Sequence, residues 1–162
     1  MSNLNLPEDG RQSATALDIQ RGTMRMLRAH AFAPICEHAL ANNRRADIIA
    51  LSDKGEVWII EIKSSLEDFR ADNKWPEYRD YCDRFFFAVK PEFPSHILPE
   101  NTGLILADRF QAEIVQDAPE HRLGAPRRKA LTLAVARAAA LRLAKAVDPD
   151  LPTRVDAWRP GK

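Results

Sequence analysis

Little in this sequence points away from an ordinary globular protein. Two cysteines, Cys36 and Cys82, in 162 residues make neither a disulfide framework nor a zinc-type ligand spacing, and they suit a reducing compartment. No apolar run approaches the roughly 20 residues of a membrane-spanning helix. The N-terminus shows no apolar signal core, so a cytoplasmic protein with no membrane partner is expected. Net formal charge is only +1, which argues neither for nor against a nucleic-acid partner and requires any basic surface to be local. Internal repeats and low-complexity tracts are missing too, which excludes a repeat architecture. A hydrophobic content of 45% and a charged content of 29% are ordinary for a single soluble domain with a real core.

The informative stretch is Arg44–Ser65, RRADIIALSDKGEVWIIEIKSS. Two apolar runs rich in β-branched residues, Asp47–Leu51 and Val57–Lys63, flank the turn Ser52-Asp53-Lys54-Gly55 and predict a hairpin. Side chains alternate along a strand, so Glu61 and Lys63 share one face while Trp58, Ile60 and Ile62 take the other. Pairing the strands brings Asp47 alongside that charged face. An acid from one strand with an acid and a lysine from the next is an arrangement for a divalent metal and water activation. An E-x-K strand can equally be a solvent-facing charge pair. Against that, both charges sit at the strand end directly before Ser64-Ser65, and Asp47 interrupts an apolar run that Ile48-Ile49-Ala50-Leu51 continues. Charge in an apolar strand is costly unless paired or metal-bound.

The flanking segments supply the scaffold. Residues 1–13 read as a loose arm, 14–147 as one domain and 148–162 as a tail. Ala14–Ala31 predicts a helix with Leu17, Met24, Leu27 and Ala31 inward. Arg21, Arg25 and Arg28 border that face, as solvated charges or as phosphate contacts. Phe32–Ala41 predicts a first strand, on which Glu37 is either a further acid of the site or a surface charge. Ser64 with Glu67, and Ser65 with Asp68, have capping-box spacing, opening a short helix with Leu66, Phe69 and Asn73 on one face. Pro76 starts a second helical segment. There Lys74, Trp75 and Tyr78, with Arg70, Arg79 and Tyr81, either stack on bases and hold phosphates or pack against the sheet. Arg84–Val89 reads as a central strand, Lys90–Pro99 as a connection, and Thr102–Ala107 and Ala112–Gln116 as two more strands. A polar loop with a surface His121 leads into a long helix, Pro126–Val147. Arg127, Arg128 and Lys129 crowd its N-terminus, where the helix dipole disfavours cations. They mark either a phosphate contact or a merely basic helix start.

Asp47, followed by Glu61-Ile62-Lys63 at the end of the next strand, resembles the motif of the PD-(D/E)-x-K nuclease superfamily, with Ala46 in place of its nominal proline. Beyond the motif, EHAL-ANNRRADIIAL, IIEIKSSLEDFRADNKWPEYRDYCDRFFFAV, FPSHILPENTGLILAD and PRRKALTLAVARAAALRLA are similar to the MmcB-type DNA repair family of bacteria, from about Gln20 to Ala144. That resemblance implies an α/β restriction-endonuclease-like fold, a central mixed β-sheet flanked by helices, and a role in DNA repair. It implies Asp47 and Glu61 as ligands of Mg²⁺ or Mn²⁺, with the Ile62 carbonyl as an extra ligand. Lys63 would orient or deprotonate the attacking water, with Glu37 as an outer acid. Mg²⁺ takes hard oxygen ligands and keeps several waters, one of which can attack. The expected function is a metal-dependent DNA phosphodiesterase, with DNA, other repair proteins and a second copy as partners. The alternative is a non-cleaving repair module that binds DNA or a partner protein.

Overall fold

The computed structural model describes residues 12–152. Most of the expected arm and tail therefore lies outside the described residues. The domain is one six-stranded sheet whose strands lie side by side in chain order. A helix α1 (Ala14–Ala29) leads into β1 (Ala33–Ala39), β2 (Arg45–Leu51) and β3 (Val57–Ile62). These three strands form an antiparallel meander. A short helix α2 (Leu66–Ala71) and a 3₁₀ helix (Trp75–Tyr81) then carry the chain to β4 (Arg84–Val89). β5 (Gly103–Ala107), β6 (Ala112–Gln116) and α3 (Ala125–Val147) complete it. β3, β4 and β5 are parallel to one another, and β6 returns antiparallel. Among the described residues no helix is long and apolar enough to cross a membrane.

Strand alternation divides the core into two layers. Ile48, Ala50, Ile60, Ile62, Phe86 and Ala88 face α1. Ile49, Val57, Ile59, Phe85, Phe87 and Val89 face the 3₁₀ helix and α3. β4 is covered on both sides, as expected of a parallel central strand written RFFFAV. The inward face of α1 differs from the predicted one. Ile19, Gly22, Thr23, Met26 and Leu27 are buried, whereas Leu17 is 46% exposed. Gly22 sets this phase: a Cβ there would lie 2.0 Å from the Asp108 carbonyl oxygen and 2.5 Å from that of Gln111. Only glycine lets the helix backbone approach the β5–β6 turn this closely. The predicted helix also ends early, because Ala31 has φ 64. Asn73 likewise falls beyond the end of α2, at Ala71.

Asp83, just before β4, ties the second layer together. It is 2% exposed and accepts from the amides of Val57 at 2.8 Å and Leu123 at 2.9 Å. Arg128 grips both of its oxygens, each at 2.7 Å, and also donates to the Gly55 carbonyl at 2.6 Å. The guanidinium that looked available for DNA phosphate is thus committed inside the protein. Its acid partner also accounts for a cation at a helix N-terminus. Burial alone would raise the Asp83 carboxyl, but Arg128 and the two amides outweigh it and hold the group below the usual carboxylate range. Removing Asp83 leaves the Val57 and Leu123 amides and the part-exposed Arg128 guanidinium without their acceptor. Asp83→Ala is expected to lower unfolding stability by about 3–5 kcal/mol, measured as a shift in the urea midpoint. The wild-type contribution is complete above the ordinary carboxylate range and is lost as pH falls through the depressed folded value.

Candidate functional site: acids where the β2–β3 ladder opens

The regular pairing of β2 with β3 runs from Leu51↔Val57 to Ile48↔Ile60. One step further Asp47 would face Glu61, and there side chains take over from the backbone. The Asp47 amide donates to Glu61 Oε1 at 3.1 Å. The Ile62 amide donates to Asp47 Oδ2 at 2.8 Å. Each carboxylate fills the place of a missing strand carbonyl, and each keeps its second oxygen for other work. Glu61 and Lys63 are both 4% exposed, while Asp47 is partly open. All three project on the face that also carries the 3₁₀ helix.

Glu37 completes a row of acids across the strands. The pairs Cys36↔Ile48 and His38↔Ala46 put Glu37 opposite Asp47. Its backbone is left-handed, φ 53, a conformation uncommon for a residue with a Cβ. Arg142 of α3 secures it by donating to the carbonyls of Cys36 and Glu37. The Glu37 carboxylate accepts from Gln12 at 2.6 Å and pairs with Arg45 at 2.6 Å.

Lys63 makes no hydrogen bond or ion pair with Asp47 or Glu61. Its Nζ lies 2.8 Å from Asp72 Oδ2, on the residue that ends α2. Asp72 Oδ1 accepts from the Lys74 amide at 2.9 Å. Burial would lower the Lys63 pKa, but the Asp72 bond and the surrounding acids raise it above its ordinary value, so the side chain is an ammonium at neutral pH. α2 itself is held by Ser65, whose hydroxyl accepts from the Asp68 amide at 3.1 Å, as capping-box spacing predicts. Asp68 Oδ2 in return accepts from the Ser64 amide at 3.0 Å.

Burial, more than any neighbour, pushes Asp47 up to about 6, against the lowering effect of the Ile62 amide. Burial and then the Asp47 charge raise Glu61 well above the carboxylate range. Two acids thus sit together with no cation bonded to either, and a divalent ion would let both ionise. Among the described residues no group of three or more His, Cys, Asp or Glu side chains could hold a metal. The donors here fit a water-rich Mg²⁺ or Mn²⁺, which needs one or two carboxylates, and do not fit a zinc cage.

The residues expected to face DNA separate into two groups. Tyr78 is 5% exposed; it stacks on Phe85 at 6.0 Å and donates to the Arg45 carbonyl at 3.1 Å, so no base can reach its ring. Trp75 packs on Phe85 at 5.6 Å and Phe87 at 6.1 Å. The packing alternative holds for both, because the aromatic β4 offers a complementary surface. Lys74 and Arg127 are exposed, and the Arg127 guanidinium lies 4.6 Å from the Tyr81 ring centre. Sequence reasoning missed Asp72 and Arg142. The run Ala71-Asp72-Asn73 held one signal, an acid at a helix end, but nothing tied it to a lysine on another element.

The fold and this site define an α/β protein with a mixed sheet flanked by helices, consistent with a restriction-endonuclease-like fold and carrying a row of acids beside a buried lysine. The chain belongs to the "DNA repair protein MmcB-like" family, whose sequence model matches residues 4–150. A solved structure of a protein of unknown function from Silicibacter pomeroyi superposes with a TM-score of 0.84 at 43% identity, over 90% of this chain and 99% of that one. No curated protein matches.

Both acids hold their protons more tightly in the folded than in the unfolded chain. Stability therefore falls as pH rises from about 4, through about 6 for Asp47, and goes on falling until Glu61 has also lost its proton. Glu61→Gln keeps an oxygen to accept the Asp47 amide while removing the charge. It is expected to raise stability at neutral pH and to flatten the decline. Melting temperatures across the pH range check this; a variant no more stable than wild type at neutral pH rejects it.

Proposed function

We propose that this protein is a metal-dependent DNA phosphodiesterase of PD-(D/E)-x-K type acting in DNA repair. The observation that carries this reading is the pair of uncompensated acids, Asp47 and Glu61, fixed by backbone amides where two strands part and flanked by a buried ammonium. Asp47 and Glu61 would each present one free oxygen to Mg²⁺ or Mn²⁺, with the Ile62 carbonyl as a further donor. Bound there, the ion would supply a Lewis acid and an activated water. Lys63 orients that water and offsets charge on the attacked phosphate. As an ammonium it does not take the water's proton. Glu37 supports the row from outside, adding negative charge beside Asp47.

A second reading is a repair module that binds DNA or a partner protein without cutting. The bond of Lys63 to Asp72 at 2.8 Å favours it, because that contact holds the lysine away from both acids.

The deciding experiment incubates labelled single-stranded, duplex, flap and junction DNA with Mg²⁺ or Mn²⁺. Asp47→Ala and Lys63→Ala should each lower cleavage by at least about a hundredfold, with circular dichroism showing both folded. Mg²⁺ should raise the melting temperature of the wild type and leave that of Asp47→Ala unchanged. Binding without cleavage by the wild type would establish the second reading.

A further inference from the structure

On the same face of the sheet, beyond the 3₁₀ helix from the acids, lies an open cleft of about 550 Å³ lined by Arg79, Asp80, His121, Arg122, Leu123, Gly124 and Arg127. It brings three guanidiniums and an imidazole together against one acid. Its floor is built rather than accidental. Asp83 accepts from the Leu123 amide through its carboxylate and from the His121 amide at 2.7 Å through its carbonyl, which fixes the loop before α3. Arg79 reaches in from the 3₁₀ helix, with its guanidinium 5.3 Å from the Trp75 ring centre. Its Nη2 bonds the Asn101 carbonyl, while its Nη1 is buried with no partner. Arg122 makes no ion pair or hydrogen bond among the described residues. Helix α3 starts at the cleft with Gly124 as its N-cap and no side chain capping it, so the positive end of its dipole also favours an incoming anion.

Planar guanidiniums match the oxygens of a phosphate. We propose that this cleft binds a phosphate group, and that a backbone phosphate of a DNA strand is its natural occupant. Asp83 lies beside Val57 at the start of β3, and Glu61 lies at the other end of that strand. The four intervening steps span about 13 Å. A strand rising about 3.4 Å per nucleotide covers that distance in roughly four nucleotides. The cleft would thus grip the strand to one side of the acids and set its direction across them. This deepens the nuclease reading without depending on cleavage, because a non-cleaving module would grip the strand in the same way.

The test measures binding of labelled single-stranded and duplex DNA in chelator across a salt series, together with titrations of inorganic phosphate and a mononucleotide. Arg122→Glu and Arg127→Glu are compared with wild type, with melting temperatures as fold controls. Among the described residues Arg122 has no partner to lose. Each variant should weaken DNA binding by roughly tenfold and lower the salt slope by about one, for wild type and Asp47→Ala backgrounds alike. Unchanged DNA binding, with phosphate or mononucleotide binding lost in the variants, would keep the phosphate site and reassign it to a free ligand. Unchanged binding of every probe would overturn the proposal. Absence of cleavage alone would bear only on the nuclease reading.

Discussion

The Asp47 amide on the Glu61 carboxylate, with the Ile62 amide on the Asp47 carboxylate, is the set of contacts on which the candidate site depends. Buried backbone groups must be paired, and where β2 and β3 part company no strand carbonyl is available. The two acids supply the missing acceptors. That need holds them side by side and largely desolvated, where burial works against their charges. Natural structures accept such local cost at functional sites. Asp72 performs the complementary task on the neighbouring element: its bond to Lys63 opposes the burial that alone would lower the lysine's hold on its proton.

The two layers of the domain divide the work. Behind the sheet, α1 packs on an apolar surface, and the closest approach is set by Gly22 against the β5–β6 turn. In front, the 3₁₀ helix lies between the acids and the cationic cleft. Its Trp75 and Tyr78 pack on Phe85 and Phe87, while Tyr81 lies under the Arg127 guanidinium. The Asp83–Arg128 pair anchors the start of α3 to β3 and β4 and shapes the loop lining the cleft. Farther along, Arg142 steadies the left-handed turn at Glu37. Helix α3 therefore braces both ends of the front face while burying only Leu131 and Val135.

Much of this was legible because it follows from local rules. Period-two apolar patterns around a Gly-containing turn announce β2 and β3. A run such as RFFFAV has nowhere to go but the middle of a sheet. Ser65 with Asp68 marks a helix start by chemistry confined to four residues. Where reading failed, the answer lay in distant residues. The phase of α1 depends on a turn more than eighty positions away, a spacing that periodicity cannot sense. Tyr78 and Trp75 look alike as stacking or packing residues until Phe85 is placed beneath them. Arg128 looks like a phosphate ligand until Asp83 is found opposite it.

The amino-acid order by itself determined the strands, the main helices and the placing of Asp47, Glu61 and Lys63 on one face, because alternation and turn chemistry act over a few residues. Only the tertiary structure decided which charges are spent internally and which remain for a ligand. Ion pairs join groups brought together by folding: Lys63 to Asp72 across α2, Arg128 to Asp83 from another element, Glu37 to Arg45 across a hairpin. Their energies depend on burial and distance, and neither exists until the sheet and its helices close around them.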